Sequence, residues 1–389
     1  MRHLTLAATL LLVALLPACT AQKAAPISRI AFGSCCRQDR PQPIWDSIVA
    51  TKPDAFIWLG DNVYADTEDM AVMRQKYEML ANEPGYQKLR ETTILATWDD
   101  HDMGKNDAGV EFPKKEESKQ ELMRFLDEPE TSARRTHDGV YDVYTFGPKG
   151  KRVQIILLDT RWFRSPMKSH RDEKNNLYYD PDDDPAKTVL GEQQWDWLER
   201  QLKQPADVRI IGSSIQVLSG EHRFEKWNNF PRERQRLLDL IDRTTGREPV
   251  VLLSGDRHTA EISKLDRPGK LPVYDVTSSS LNTVGSSPLD EPNQYRVGER
   301  FRPENFGLIE IDWSGKSPKL SLQLRDVDGK TVREAKMDEP PRHEGHQAVS
   351  LDPHEWHARA MECGAEERLG GLRVLVVDYS FRPARLDTA

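Results

Sequence analysis

Ala55-Phe56-Ile57-Trp58-Leu59-Gly60-Asp61-Asn62-Val63-Tyr64-Ala65-Asp66 runs from five apolar residues through a glycine into polar, chemically capable side chains. A continuous apolar run of this length reads as a strand buried on both faces, as in a sheet covered by helices. The pattern recurs along the chain. It is present in RIAFGSCC (29–36), TTILATWDDHDMGKND (92–107), RVQIILLDTRWF (152–163), VRIIGSSIQV (208–217) and PVVLLSGDRHTAEI (249–262). Between these runs, helices are predicted over Met70 to Leu80, Glu192 to Leu202 and Arg232 to Asp242, with Trp195, Leu198 and Leu202 forming one apolar stripe. Strands alternating with helices give an α/β fold, in which ligands gather beyond the carboxyl ends of the strands. After Leu271 the texture turns strand-rich, with LPVYDVTSSS, NFGLIEIDW and KLSLQLRDVDGK, the last ending in an Asp-Gly turn signal. These segments are expected to complete a second sheet within the same domain.

The 389 residues include 55 Lys+Arg against 63 Asp+Glu, a net charge of −8 with 30% charged residues. That mildly acidic balance speaks against nucleic acid or an anionic membrane surface as the main partner and suits a metal enzyme. Residues 1–18 read as a signal peptide, its apolar run from Leu4 to Leu16 too short to span a bilayer. Leu16-Pro17-Ala18-Cys19 resembles a bacterial lipobox, which predicts lipidation of Cys19, a tether over 19–28 and a periplasmic or cell-surface location. Plain cleavage to a soluble periplasmic product is the alternative. Outside the cell thiols oxidise, yet beyond Cys19 only Cys35, Cys36 and Cys363 remain. An odd number with one adjacent pair argues against a disulfide framework. In an extended strand end, Cys35 and Cys36 point to opposite faces. The acidic loop DPDDDPAK (180–187) reads as a solvated excursion rather than a calcium loop. Residues 339–389, with His343, His346, His354 and His357, read as an irregular appendage to a catalytic domain spanning 29–338.

Three strand ends carry metal-binding residue types. Asp61 follows its strand immediately, the natural place for a carboxylate that bridges two ions, and Tyr64 lies three residues on. Asp99, Asp100, His101 and Asp102 crowd acidic and imidazole groups whose repulsion a cation would offset. Asp256 and His258 are two apart, on one side of an extended turn. Hydrolysis of a phosphoester needs two metal ions about 3.5–4 Å apart, a bridging carboxylate and a hydroxide between the ions. A histidine nearby can protonate the leaving oxygen.

GSCC, WLGDNVYAD, ATWDDHDMGKNDAG, LDTRWF and LSGDRHTAEI, in this order, resemble the alkaline phosphatase D (PhoD-like) family of the metallophosphoesterases, over roughly Arg29 to Asp328. The resemblance implies a four-layer α/β/β/α metallophosphoesterase sandwich. It implies a phosphodiesterase or phosphomonoesterase using Fe3+ and Ca2+, with Zn2+ or Mn2+ as alternatives. By position, Cys35, Tyr64 and His258 would bind iron, Asp61 would bridge, and Asp100 and Asp256 would hold the second ion, with Asn106 a further oxygen ligand. Carboxylates in place of nitrogen ligands harden the second site, which favours calcium or magnesium. His101 falls on the general acid, while Arg37 and Arg257 adjoin ligand residues and, with Arg161, are candidates for phosphate oxygens. The expected partner is a small phosphoester and the expected state a monomer. Two departures from the family pattern bear on the second ion. The acidic cluster ends in Asp102 and Asn106-Asp107 rather than a Glu followed by paired asparagines, and either Ser214 or Gln216 stands where other metallophosphoesterases carry a histidine ligand. A dizinc phosphomonoesterase and a non-enzymatic metal-binding surface lipoprotein of the same fold are the competing readings.

Overall fold

The structure, a computed structural model, describes residues 25–338 apart from residues 287 and 289. The signal peptide 1–18, Cys19, most of the 19–28 tether, Cys363 and the 339–389 segment lie outside the described residues. Ile27 is already buried, so packing begins just before Arg29.

In chain order the first elements are β1 (Arg29–Gly33), α1 (Ile44–Ala50), β2 (Ala55–Leu59), α2 (Met70–Ala81), α3 (Pro84–Leu89), β3 (Thr93–Thr97), α4 (Asp100–Met103) and α5 (Lys115–Phe125). The middle of the chain adds β4 (Asp142–Phe146), β5 (Val153–Leu157), β6 (Ser169–Arg171), β7 (Leu177–Tyr179), α6 (Gly191–Leu202), β8 (Val208–Gly212) and α7 (Pro231–Thr244). Then follow β9 (Val250–Ser254), β10 (Ala260–Leu265), β11 (Val273–Ser278), β12 (Arg296–Phe301), β13 (Asn305–Asp312), β14 (Lys319–Asp326) and β15 (Thr331–Met337). The three predicted helices form as α2, α6 and α7, within two residues of their expected ends. Pro231 opens α7 at a position where its missing N–H costs nothing.

Two sheets face each other. One runs β15-β14-β13-β1-β2-β3, the other β12-β10-β11-β9-β8-β5-β4. Side-chain alternation sorts the apolar runs into three cores. Ile30, Phe32, Ile57 and Leu59 meet Val153, Ile155, Ile210, Val251 and Leu253 between the sheets. Ala31, Phe56 and Trp58 turn the other way, onto an aromatic layer with Trp45, Tyr77 and Tyr86 from α1, α2 and α3. Ile156, Ile211 and Leu252 pack on Trp195, Leu198, Leu237 and Leu240 of α6 and α7. Three cores between four layers make an α/β/β/α sandwich.

One expectation is corrected. The C-terminal strands do not together form the second sheet. Only β11 and β12 join it, whereas β13, β14 and β15 extend the first. The reason is the free edge of β1, which pairs antiparallel with β13 through Ile30↔Ile309 and Phe32↔Gly307. An uncovered edge in a buried sheet would leave backbone groups unpaired.

Candidate metal centre

The candidate residues stand just past the carboxyl ends of β1, β2, β3 and β9, where strands give way to tight turns. Cys35 (φ 60°), Asp61 (φ 50°), Asp256 (φ 53°) and His258 (φ 50°) all adopt left-handed backbone. That conformation costs a non-glycine residue on the order of 1 kcal/mol or more, and it persists where surrounding bonds over-determine it. Here they do. Ser279 Oγ accepts the N–H groups of Arg257 (2.6 Å) and His258 (2.9 Å) and lies 3.1 Å from Cys35 Sγ. The Asp102 carboxylate accepts the N–H groups of Asp61, Asn62 and Asp99 at 3.3, 3.2 and 2.6 Å. Asp102 is therefore a brace between two site loops. Gly60 (φ 94°) lets those loops touch, since a Cβ there would lie 2.4 Å from Asp99 Cβ.

The extended geometry expected of Cys35 and Cys36 does not occur, because β1 ends at Gly33 and Cys35 turns left-handed. The separation of the two thiols follows nonetheless. Cys35 Sγ donates to Asp61 Oδ2 at 3.4 Å, while Cys36 Sγ donates to Gln42 Oε1 at 3.2 Å within the aromatic core. Neither forms a disulfide among the described residues.

Among the described residues, three overlapping groups could each hold a cation: Cys35, Asp61 and His258; Asp61, Asp100 and His101; and Asp61, Asp99, Asp100 and Asp256. Within each group the ligand atoms lie within 4.8 Å of one another, and Asp61 belongs to all three. The phenol of Tyr64 joins the first group, 2.9 Å from His258 Nε2. Asp61 Oδ1 and Asp99 Oδ2 are buried with no hydrogen-bond partner among the described residues. Burial, reinforced by neighbouring negative charge, pushes the Asp61 and Asp256 carboxyls well above their usual range. Burial likewise raises Asp99 to about 7. Burial would also raise Asp100, but Arg161 and His101 outweigh it and hold it at about 2. Orphaned carboxylate oxygens among crowded acids suit divalent or trivalent cations, which would relieve both the repulsion and the desolvation.

His101 Nδ1 lies 2.7 Å from Asp66 Oδ1, and the ring is tilted over Tyr64 at 4.2 Å. Burial opposes its charged form, yet Asp61, Asp100 and the hydrogen bond to Asp66 raise its pKa to about 10. His258 is driven the other way, to about 4, by burial and by the cations His101 and Arg257.

Three expected residues are placed differently. Asn106 is exposed and its amide donates to Asp107 Oδ2. Arg257 is buried with its guanidinium paired to Glu291 at 2.5 Å and laid 4.6 Å from the Phe224 ring centroid. Arg161 is fully buried between Asp99 and Glu225, both at 2.5 Å. A guanidinium taken out of water must be matched by carboxylates, so these two arginines act as fixed counter-charges. Arg161 Nη2, 3.9 Å from both Asp100 and Asp256, lies behind the acidic group. Of the three arginines only Arg37 presents its side chain to solvent, beside Asp39 and 5.1 Å from the centroid of the Tyr64 ring. Ser214, not Gln216, reaches the centre, donating to Asp99 Oδ1 at 2.5 Å. Gln216 turns to Glu261 and Thr277. Asp66 and Ser279 carry weight that the sequence did not signal. Asp66 lies inside the opening stretch, five residues after Asp61, but only the fold folds it back onto His101.

Residues 30–305 match the PhoD-like phosphatases. The chain belongs to this family. As a PhoD-like phosphatase it is a metal-dependent phosphoester hydrolase. Its fold is similar to that of a solved PhoD, at TM-score 0.62 and 16% identity over 83% of this chain and 73% of that one. It is also similar to GAP50, described as the anchor in the inner membrane complex of Plasmodium, at TM-score 0.54 and 14% identity over 81% and 90%. The purple acid phosphatase PPD1 from yellow lupin seeds aligns at TM-score 0.54 and 10% identity, over 80% of this chain and 54% of that one. No curated protein matches the sequence.

Proposed function

We propose that the chain hydrolyses small phosphoesters with a ferric ion held by Cys35, Tyr64 and His258 and a calcium ion held by Asp100 and Asp256, with Asp61 bridging. The observation that carries this reading is Asp61 itself, common to every ligand group and with a buried oxygen left unpaired. Thiolate, phenolate and imidazole together suit iron, and a purely carboxylate group, in which Asp99 also stands, suits a hard ion. When bound, the two ions supply Lewis acidity that polarises the phosphoryl oxygens and lowers the pKa of the attacking water. His101 supplies the proton to the leaving oxygen. Asp66 engages its Nδ1 and so leaves Nε2 for the substrate. Arg37 is the arginine placed to meet phosphate oxygens.

The purified mature chain is expected to cleave bis-p-nitrophenyl phosphate at alkaline pH and to lose that activity with chelator. Asp61→Asn should lower turnover on the order of a hundredfold or more. Full activity in that variant would sink the reading. Metal analysis returning two zincs, or manganese, would overturn the identity of the ions and leave the reaction standing. Residues 1–18 and Leu16-Pro17-Ala18-Cys19 support export and a lipid tether at Cys19. An unacylated Cys19 in the mass spectrum of the mature protein would refute the tether.

A further inference from the structure

The segment between Ser165 and Val189 leaves the strand–helix framework, and its hairpin β6–β7 pairs Ser169 with Tyr179. Tyr179 is firmly seated. Its N–H donates to Arg223 O at 2.9 Å, and its carbonyl accepts Asn229 Nδ2 at 2.8 Å and Lys226 Nζ at 3.3 Å. From this anchored backbone the phenol reaches out of the hairpin and donates to Asp107 Oδ2 at 2.6 Å. Asp107 is itself left-handed (φ 56°), with its carbonyl accepting Arg164 Nη2 at 2.5 Å. That turn aims the Asp107 N–H at Asp100 Oδ2, 2.5 Å away. A chain of hydrogen bonds thus runs from the hairpin to a carboxylate of the all-oxygen group, through a backbone conformation that Asp107 would not hold unaided.

We propose that Tyr179 is a positioning residue for the second cation, acting through Asp107 on Asp100. The inference rests on the reading of Asp100 and Asp256 as holders of that ion. Its physical basis is that a hydrogen bond to a ligating carboxylate fixes its orientation, and removing such a partner typically costs 10–100-fold in metal affinity. Tyr179 acts one bond further out, so the lower end applies. The hairpin thereby becomes part of the metal centre rather than surface decoration. Arg164, held 2.9 Å from Glu225 and so tied to Arg161, supports the other side of the same turn.

The test titrates the full mature chain, freed of exchangeable divalent ions, with Ca2+ by calorimetry and with Tb3+ by luminescence. Tyr179→Phe should weaken both by about tenfold while leaving any thiolate-to-iron absorption unchanged. Asp107→Asn keeps a side chain that tolerates left-handed backbone and should weaken binding to a similar degree. The Tyr179→Phe/Asp107→Asn double variant should be no worse than the weaker binder of the pair, since both act along one path. Tyr178→Phe, which alters the same hairpin where Tyr178 stacks on His170 at 5.2 Å, should bind as the parent does. Parent-like affinity in Tyr179→Phe, additive losses in the double variant, or an equal loss in Tyr178→Phe would each overturn the inference alone. A parent chain that binds neither ion would overturn the second-cation reading and the inference with it.

Discussion

Cys35 and Cys36 are adjacent, equally buried, and opposed in environment. Cys35 faces Asp61, Ser279 and, through them, His258; burial raises its thiol, and hydrogen bonds from Ser279 and Ser34 pull it back. Cys36 is raised further by burial and by Cys35 itself, with one polar contact to Gln42. A cation would favour the thiolate of the first and has no route to the second. Cys35→Ser should abolish thiolate-to-metal absorption and iron retention, whereas Cys36→Ser should keep both and cost on the order of 1 kcal/mol in stability; equal losses would contradict the placement. The same scale governs His101. Because Asp66 helps hold the imidazole in its charged form, Asp66→Asn should lower the His101 pKa. A general acid with a lowered pKa deprotonates earlier, so the alkaline limb of the pH–rate profile should move to lower pH. The effect should be larger for alkyl esters than for p-nitrophenyl esters, whose leaving oxygen needs little protonation. An unmoved limb would remove Asp66 from the proton path.

At the scale of elements, the centre depends on how β1 is seated. Its edge is covered by β13, and Gly307 of β13 lies against the face of Phe32, where an added Cβ would fall 2.0 Å from Cζ. Phe32 is packed between the sheets and cannot withdraw. Gly307→Ala should therefore destabilise by about 1–3 kcal/mol through overpacking, read from urea unfolding, and Phe32→Leu in the same chain should recover part of it. Strictly additive effects would mean that the two residues do not share the clash. This contact also marks the limit of what the sequence disclosed. Runs such as FIWL and VVLL declare buried strands by composition, and Asp61, Asp100, Asp256 and His258 declare themselves by standing at their ends. Nothing in NFGLIEIDW says that it will pair with residues nearly 280 positions earlier. The left-handed turns were equally silent, because Cys, Asp and His occupy positions where glycine would have advertised the conformation. Arg161 and Arg257 read as phosphate contacts for the same reason that they turn out buried. Their neighbours in the sequence are ligands, but which side of the sheet an arginine takes is decided by carboxylates such as Glu225 and Glu291, far away in the chain.

Across the whole molecule, the two sheets contribute unequal halves of one centre. The first brings Cys35, Asp61, Asp99 and Asp100, and the second brings Asp256, His258, Arg161 and Ser214, so cations bound there would tie the sheets together. Away from that centre, the irregular segment between β8 and α7 carries a buried charge problem of its own. His222 is buried with neither ring nitrogen hydrogen-bonded among the described residues, and burial together with Arg257, Lys226 and Arg300 drives its pKa well below the ordinary 6.5. The sign follows from linkage. The folded chain keeps His222 neutral while the unfolded chain protonates it below pH 6.5, so this group's stabilisation is complete above that pH and is lost as the pH falls beneath it. The loss approaches about 1.4 kcal/mol for each pH unit below the unfolded value until the folded pKa is reached. His222→Leu removes the titration without introducing a charge. Urea unfolding of metal-free protein at pH 7.5 and 5.5 should show the parent losing about 1.4 kcal/mol more than this variant over that interval. Parallel losses in the two proteins would mean that His222 is protonated as readily in the folded chain as in the unfolded one, and that the cations around it are offset by groups other than those named.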